Sequence, residues 1–299
     1  MTDHVLTLIS AARDGLAAET VDAIRAALRH LGADVGRPDW LADRTVCDLP
    51  FADLNDDQAD AAARALLGDA PVDVLAQPAG ERRKRLLIAD MESTLIENEM
   101  LDELADYVGK RAEIAAITAR AMNGELDFAG ALDARVELLA GLDQSVLDES
   151  AQRIRYMPGA AALIATMQAN GAQTAIVSGG FRWYTALVAR KLGVGQEFGN
   201  HLEIRHGKLT GKVVPPILGR EAKLETLVRL ATEAGLPLAA TLAVGDGAND
   251  LDMIGAAGLG VAFRAKPIVA AQAKWRVMHG DLTALLYAQG YRAGEIVAA

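Results

Sequence analysis

Three short apolar runs, each cut off by a cluster of polar residues, constrain this chain more than any other feature. Leu86-Leu87-Ile88-Ala89 leads into Asp90-Met91-Glu92-Ser93-Thr94. Gln173-Thr174-Ala175-Ile176-Val177 leads into Ser178-Gly179-Gly180, and Thr241-Leu242-Ala243-Val244 leads into Gly245-Asp246-Gly247-Ala248-Asn249-Asp250. A short continuous apolar run fits a strand buried on both faces of a parallel sheet. Helical spacing over 161–169 and 221–233 lies between these runs, and Gly258–Phe263 reads as one more strand. Strands alternating with helices predict an α/β fold with a doubly wound parallel sheet. Residues 97–155 carry helical spacing only (Ile114, Ile117 and Ala121; Leu132, Val136 and Leu139), which predicts a helical cap inserted after the first strand.

A different unit precedes them. Val5–Ile9 and Val72–Leu75 read as strands, 20–31 and 56–67 as helices, and Arg37–Leu49 as two short strands around Asp43-Arg44. The order βαββαβ predicts a small α+β ferredoxin-like module. Residues 1–80 hold 14 acids, six Arg and no Lys, so most of the chain's net charge of −10 sits there. The turn cluster Gln77-Pro78-Ala79-Gly80 and the change in charge density predict a boundary, with units at 1–80 and 81–299. The basic run Arg82-Arg83-Lys84-Arg85 reads as a solvated strand entry.

Function in open α/β sheets gathers at the carboxyl ends of the strands. Asp90 and the Asp246/Asp250 pair, carried by two such ends, suit one hard cation such as Mg²⁺, which takes oxygen ligands and shares them with a phosphate. The Ser178 hydroxyl, the backbone N–H groups of the Gly179-Gly180 turn, and Lys223 suit the remaining phosphate oxygens. Asp90 is then free to attack phosphorus, and Glu92, two residues on, can protonate the leaving oxygen and later activate water.

Order and spacing of Asp90, Thr94, Ser178, Lys223, Asp246 and Asp250 resemble the haloacid dehalogenase superfamily, and the flanking stretches resemble its phosphoserine phosphatase branch, over 86–299. The resemblance implies Mg²⁺-dependent hydrolysis of O-phospho-L-serine through an aspartyl-phosphate, the last step of serine biosynthesis. It implies Asp90 as nucleophile and metal ligand, Asp246 as second ligand, and Asp250 as an acid supporting the metal. Ser178, Gly179 and Lys223 match the phosphate-holding groups, with Asn249 beside them. In the cap, Glu99 and Arg135 match the groups that hold the substrate's ammonium and carboxylate, and Met122 and Phe128 match apolar positions closing over it. Spacing by itself does not separate Glu99 from Glu97 or Glu103, nor Arg135 from Arg120. Glu92 departs from the family pattern, which has Asp. The metal contact implied at that position is a main-chain carbonyl, so the departure touches the acid–base carboxyl. Complete but slower turnover is expected, with Glu92→Asp quickening dephosphorylation. The amino-terminal unit resembles the ACT-like modules placed ahead of some bacterial members, which bind amino acids or form dimers; a homodimer is thus one expectation.

Two other readings keep part of this: the same chemistry on another small phosphomonoester, or a weakly catalytic amino-acid sensor. Excess acid argues against nucleic-acid and anionic-membrane partners. The single cysteine, Cys47, cannot close an internal disulfide, and residues 1–10 carry too short an apolar run for a signal peptide, so a cytoplasmic setting is expected. His201 and His206 flank a turn at Gly207 and read as solvated loop residues rather than metal ligands.

Overall fold

The computed structural model describes residues 3–122 and 125–298; the side chains of Ala119, Ala121 and Met122 also lie outside the described set. Two sheets organise the chain. The first is built from β1 (His4–Ser10), β2 (Asp34–Val35), β3 (Asp39–Ala42), β4 (Val46–Ala52) and β5 (Val72–Pro78). Its order is β2-β4-β1-β5, with β3 also paired to β4, and β1 runs antiparallel to both neighbours. Helices α1 (Ala18–His30) and α2 (Asp56–Leu67) cover one face through Val21, Ile24, Leu28, Ala59 and Ala63. Asn55 starts α2 by accepting the Gln58 N–H at 2.8 Å.

The second sheet holds β6 (Leu86–Ala89), β7 (Gln173–Phe181), β8 (Gln196–Arg205), β9 (Lys208–Val214), β10 (Thr241–Gly245), β11 (Leu259–Phe263) and β12 (Trp275–Val277). The order is β12-β11-β10-β6-β7-β8-β9, parallel throughout except for the β8–β9 hairpin. The cap comprises α3 (Met100–Tyr107), α4 (Arg111–Met122), α5 (Phe128–Glu137) and α6 (Ser145–Ala151). Along the sheet follow α7 (Ala160–Ala169), α8 (Arg182–Leu192), α9 (Arg220–Glu233), α10 (Leu251–Ala256), α11 (Pro267–Ala270) and α12 (Ala284–Ala288). On β6, Leu87 and Ala89 join a core with α7, α8 and α12, while Leu86 and Ile88 join a second core with α9 and α10. Both faces of β6 are therefore apolar, which is why its sequence shows no alternation. The central trio β10-β6-β7 is the set of strands that carries the three polar clusters. Register sets Ala89 beside both Val244 and Ile176, so the clusters emerge at one level.

Three sequence expectations change. The β8–β9 hairpin, β12 and β2 were not foreseen: β9 is the edge strand and β8 lies beside it, both of mixed burial and without a continuous apolar run. His201 lies inside β8 rather than in a loop, and His206 with Gly207 forms the hairpin turn, both at positive φ (53° and 75°); both histidines remain exposed. The basic run is not uniformly solvated. Arg83 and Arg85 are exposed, but Lys84 is buried and its ammonium donates to the carbonyls of Glu81 (3.0 Å) and Ala239 (2.9 Å).

The face of the first sheet away from α1 and α2 packs on the second unit. Ile9, Leu41, Val46 and Leu75 belong to the same apolar core as Leu282, Leu285 and Tyr291. Polar groups also cross: Trp275 Nε1 donates to the Ala76 carbonyl (2.7 Å), and the Asp73 carboxylate accepts the N–H groups of Met278 and Gly280 (2.7 Å each).

Candidate active site

The carboxyl ends of β6 and β10 bring Asp90, Asp246 and Asp250 together, with one oxygen of each within 4.8 Å of the others. Asp90 is tied into the sheet through its own N–H, which donates to the Val244 carbonyl at 2.9 Å. Its Oδ1 accepts the Met91 N–H at 2.8 Å. Lys223, near the start of α9, is buried and lies 2.6 Å from Asp250 Oδ1 and 3.0 Å from Asp90 Oδ1. Asp250 Oδ2 accepts the Gly247 N–H at 3.0 Å, so both Asp250 oxygens already hold a donor. Gly245 has to lack a side chain: a Cβ there would stand 2.3 Å from the Asp250 carboxyl carbon.

One ammonium faces three carboxylates, and the electrostatics follow. Burial first, then the charge of Asp250, pushes the Asp90 carboxyl up to about 8, against the pull of Lys223. Burial and Asp250 push Asp246 up to about 6. Burial alone would lower the Lys223 pKa, but Asp250 and Asp90 outweigh it and hold the ammonium charged. A divalent cation would relieve the excess negative charge, and an all-oxygen donor set suits a hard one.

Glu92 is not one of the three clustered acids, although the charge of Asp90 reaches it. Its Oε1 accepts the N–H of Met100, the first residue of α3, at 2.8 Å. Gly180 makes room for Oε2, since a Cβ there would approach it to 2.5 Å. Burial and the charge of Glu99 push the Glu92 carboxyl up to about 8, a value that keeps a proton available near neutrality. Ser93 bends back with φ of 54° and its hydroxyl donates to Glu99 Oε1 at 2.7 Å. Thr94 is buried, and its Oγ1 lies 3.4 Å from Asp246 Oδ1.

On the β7 side, the Ser178 hydroxyl is buried and accepts the Gly180 N–H at 2.9 Å. Phe128 opens α5, whose start is fixed by the Asp127 carboxylate accepting the Gly130 N–H at 2.7 Å. Its ring reaches from the cap onto Gly179, where a Cβ would meet it at 2.9 Å, and onto Gly219, at 3.2 Å. Arg135, on the same helix, donates to the Ala131 carbonyl at 2.9 Å and is half-buried. Burial pulls its pKa below the usual arginine value, although Glu92, Glu99 and Asp102 face it. Asn249 sits half-buried on the turn Ala248–Asp250. Met122 ends α4, but its side chain falls outside the described residues. The structure thus gathers Asp90, Asp246, Asp250 and Lys223 in one cluster, Glu92, Glu99 and Arg135 in a second, and Ser178, Gly179 and Phe128 in a third. Sequence reasoning passed over Asn200 on β8, whose buried amide holds Gly179 (2.8 Å); its only signal is the strand pairing itself.

A fold whose sheet gathers carboxylates at the ends of adjacent parallel strands, under a helical cap, is the architecture of a known hydrolase class. The family model of haloacid dehalogenase-like hydrolases matches residues 87–255, and the chain belongs to that family. Within it, the chain is similar to the phosphoserine phosphatase of Streptomyces coelicolor, 42% identical over 298 residues that cover 98% of this chain and 72% of that one. A crystal structure of a haloacid dehalogenase family hydrolase from Salmonella enterica serovar Typhi superposes with TM-score 0.83 at 28% identity, covering 96% of this chain and 98% of that one. A phospho-aspartyl intermediate analogue of a phosphoserine phosphatase superposes with TM-score 0.64 at 40% identity, covering 69% of this chain and 98% of that one.

Proposed function

We propose that this protein hydrolyses O-phospho-L-serine to L-serine and phosphate through a phosphoryl group carried on Asp90. The observation that carries the reading is the pairing of two unlike clusters. Three carboxylates and Lys223 gather at the strand ends, and Glu92, Glu99 and Arg135 face one another beneath the cap. The first cluster suits a phosphoryl group, and an acid with an Arg suits an amino acid's ammonium and carboxylate. The phospho-aspartyl analogue solved for a related phosphatase supports the covalent route.

In this reading Asp90 attacks phosphorus in line with the ester oxygen, and the P–O bond to the seryl oxygen breaks. Glu92 gives its proton to that oxygen as it leaves. Glu92, now ionised, takes a proton from water, which attacks phosphorus and frees Asp90 and phosphate. Its raised pKa suits it to both transfers. Ser178, the Gly179 backbone and Lys223 hold the non-transferred oxygens, and Asn249 borders them. Asp90, Asp246 and Asp250, with the main-chain carbonyl of Glu92, are the groups that would hold Mg²⁺. When bound, Mg²⁺ neutralises charge on the phosphoryl oxygens and on the acids. Phe128 and Met122 close the apolar side of the substrate, and Glu99 and Arg135 select it. Residues 1–80 are read as an ACT-like unit.

Phosphate release from a panel of phosphomonoesters, with Mg²⁺ and with chelator, tests this. Mg²⁺-dependent preference for O-phospho-L-serine is expected. Arg135→Ala should lower its kcat/KM on the order of 100-fold, the cost of stripping a charged hydrogen bond from a carboxylate, and leave an aryl phosphate nearly unaffected. Equal losses on both substrates would remove Arg135 from the specificity role.

A further inference from the structure

The β7–β8 ladder opens where the phosphate turn begins. Pairing runs Ala175↔Gln196, Ile176↔Glu197, Val177↔Phe198 and then jumps to Phe181↔Asn200. Ser178, Gly179 and Gly180 therefore stand out of the ladder as a bulge, the device that re-aims backbone groups at a sheet end. Such a bulge leaves peptide groups without strand partners, and buried ones need a substitute. Asn200 supplies it. Its side chain is 1% exposed, and Nδ2 donates to the Gly179 carbonyl at 2.8 Å. The same Nδ2 lies 3.1 Å from the Leu218 carbonyl, and Oδ1 accepts the Leu218 N–H at 2.7 Å. One amide thus joins the phosphate turn to the segment that enters α9, the helix carrying Lys223. Gly179 and Gly219, either side of that junction, are the two glycines on which Phe128 of the cap rests.

We propose that Asn200 is a positioning residue for phosphoryl transfer. Its amide replaces the ladder partner given up by the bulge and fixes Gly179 and the Leu218–Gly219 segment as one floor beneath the transferred group. The proposal deepens the phosphatase reading above and rests on it. The floor is where the phosphoryl oxygens and the closing Phe128 ring both register, so its displacement acts on phosphate and not on the amino-acid end of the substrate. Asn200 touches none of Asp90, Asp246 and Asp250, so the metal response is independent of it.

The test uses the full-length Asn200→Ala variant, with Asn200→Leu filling the same volume without a hydrogen bond. Three quantities are read: kcat/KM for O-phospho-L-serine and for p-nitrophenyl phosphate, the inhibition constant of inorganic phosphate, and the Mg²⁺ concentration for half-activation. For both substrates kcat/KM should fall about 100-fold, the cost of a misplacement near 1 Å. The phosphate constant should rise about tenfold, the worth of one hydrogen bond to an anion. Half-activation by Mg²⁺ should not move. Asn200→Ser, which keeps one donor, should recover part of the loss. Wild-type phosphate inhibition in either folded variant overturns the proposal. So does a loss confined to O-phospho-L-serine, which would put Asn200 at the amino-acid end. A protein that hydrolyses only the aryl ester, and loses that activity in Asn200→Ala, would refute the phosphoserine substrate and uphold Asn200. Should Asn200→Ala not fold, Asn200→Leu reads the same quantities.

Discussion

Two clusters of ionic groups, each shielded from solvent, are built on opposite principles. At the junction between the two units, every charge meets its partners. Arg82 lies 2.6 Å from Asp48, donates to Thr7 Oγ1 at 3.0 Å and reaches the Ala288 carbonyl at 3.1 Å, while Thr7 donates to Asp48 at 2.7 Å. At the strand ends, among the described residues, Lys223 is the cation paired within Asp90, Asp246 and Asp250, and Glu92 and Glu99 stand close by with Arg135 facing them. The first arrangement is satisfied and needs nothing further. The second is short of positive charge, which raises its carboxyls and suits it to a cation. Buried charge that balances reads as structure; buried charge that does not balance reads as chemistry.

The sharpest way to break that contrast is to remove one charge from each place. Asp90→Asn should abolish phosphate release, by about 10⁴-fold or more, because the attacking atom is gone. Its melting temperature without metal should stay level or rise, since one uncompensated carboxylate leaves the cluster. Residual turnover near wild type would end the nucleophile assignment. Arg82→Met should do the reverse. Asp48 would be left buried without its partner, at a cost of about 3 kcal/mol, on the order of 6–10 °C in Tm, with kcat at 25 °C little changed. A melting temperature equal to wild type would show that the junction is not held by this pair.

The pH response separates the two places further. Asp90, Glu92 and Asp246 have carboxyls raised to about 8, about 8 and about 6. Over a range above the ordinary carboxylate value the folded chain then keeps protons that the unfolded chain has released. The stability they confer is complete below that ordinary value and is lost as pH rises toward about 8. In chelator, Tm should therefore fall between about pH 5 and 8, and saturating Mg²⁺ should flatten the slope. Asp90→Asn should flatten it in part. A metal-free Tm that climbs across this range would contradict the raised carboxyls.

The contrast also explains what the sequence does and does not reveal. Asp90 and Asp246 are legible because each follows directly on a buried apolar strand, β6 or β10, and Asp250 because it closes the short turn after β10. Helix α2 is legible to its bounds, since Asn55 caps it and its apolar residues repeat at helical spacing. The junction is invisible by the same means. Arg82 stands in a basic run that looks solvated, and only the approach of Asp48, some thirty residues earlier, shows that it is half-buried and paired. Asn200 is hidden for a related reason: β8 alternates weakly, and its role depends on a pairing jump in a neighbouring strand. Features written into a local run are readable; features that depend on which distant run lies alongside are not.

The smallest effect concerns Glu92, where the family pattern has Asp. Sequence reasoning treats the longer side chain as a strain on acid–base geometry and expects Glu92→Asp to quicken dephosphorylation. The geometry points the other way. The extra methylene is what lets Oε1 reach the Met100 N–H at 2.8 Å, and Gly180 leaves the space that Oε2 fills. Shortened by one carbon–carbon bond, about 1.5 Å, an aspartate would give up the Met100 bond and its tie to the cap helix. An acid no longer held in place loses roughly tenfold in proton transfer, about 1.4 kcal/mol. Glu92→Asp should accordingly slow release of the aspartyl-phosphate about tenfold, with its formation less affected, and rapid-quench measurement of the phosphorylated enzyme would show it accumulating. A faster release would restore the strain account and would mean that the Met100 contact restrains the acid rather than aims it.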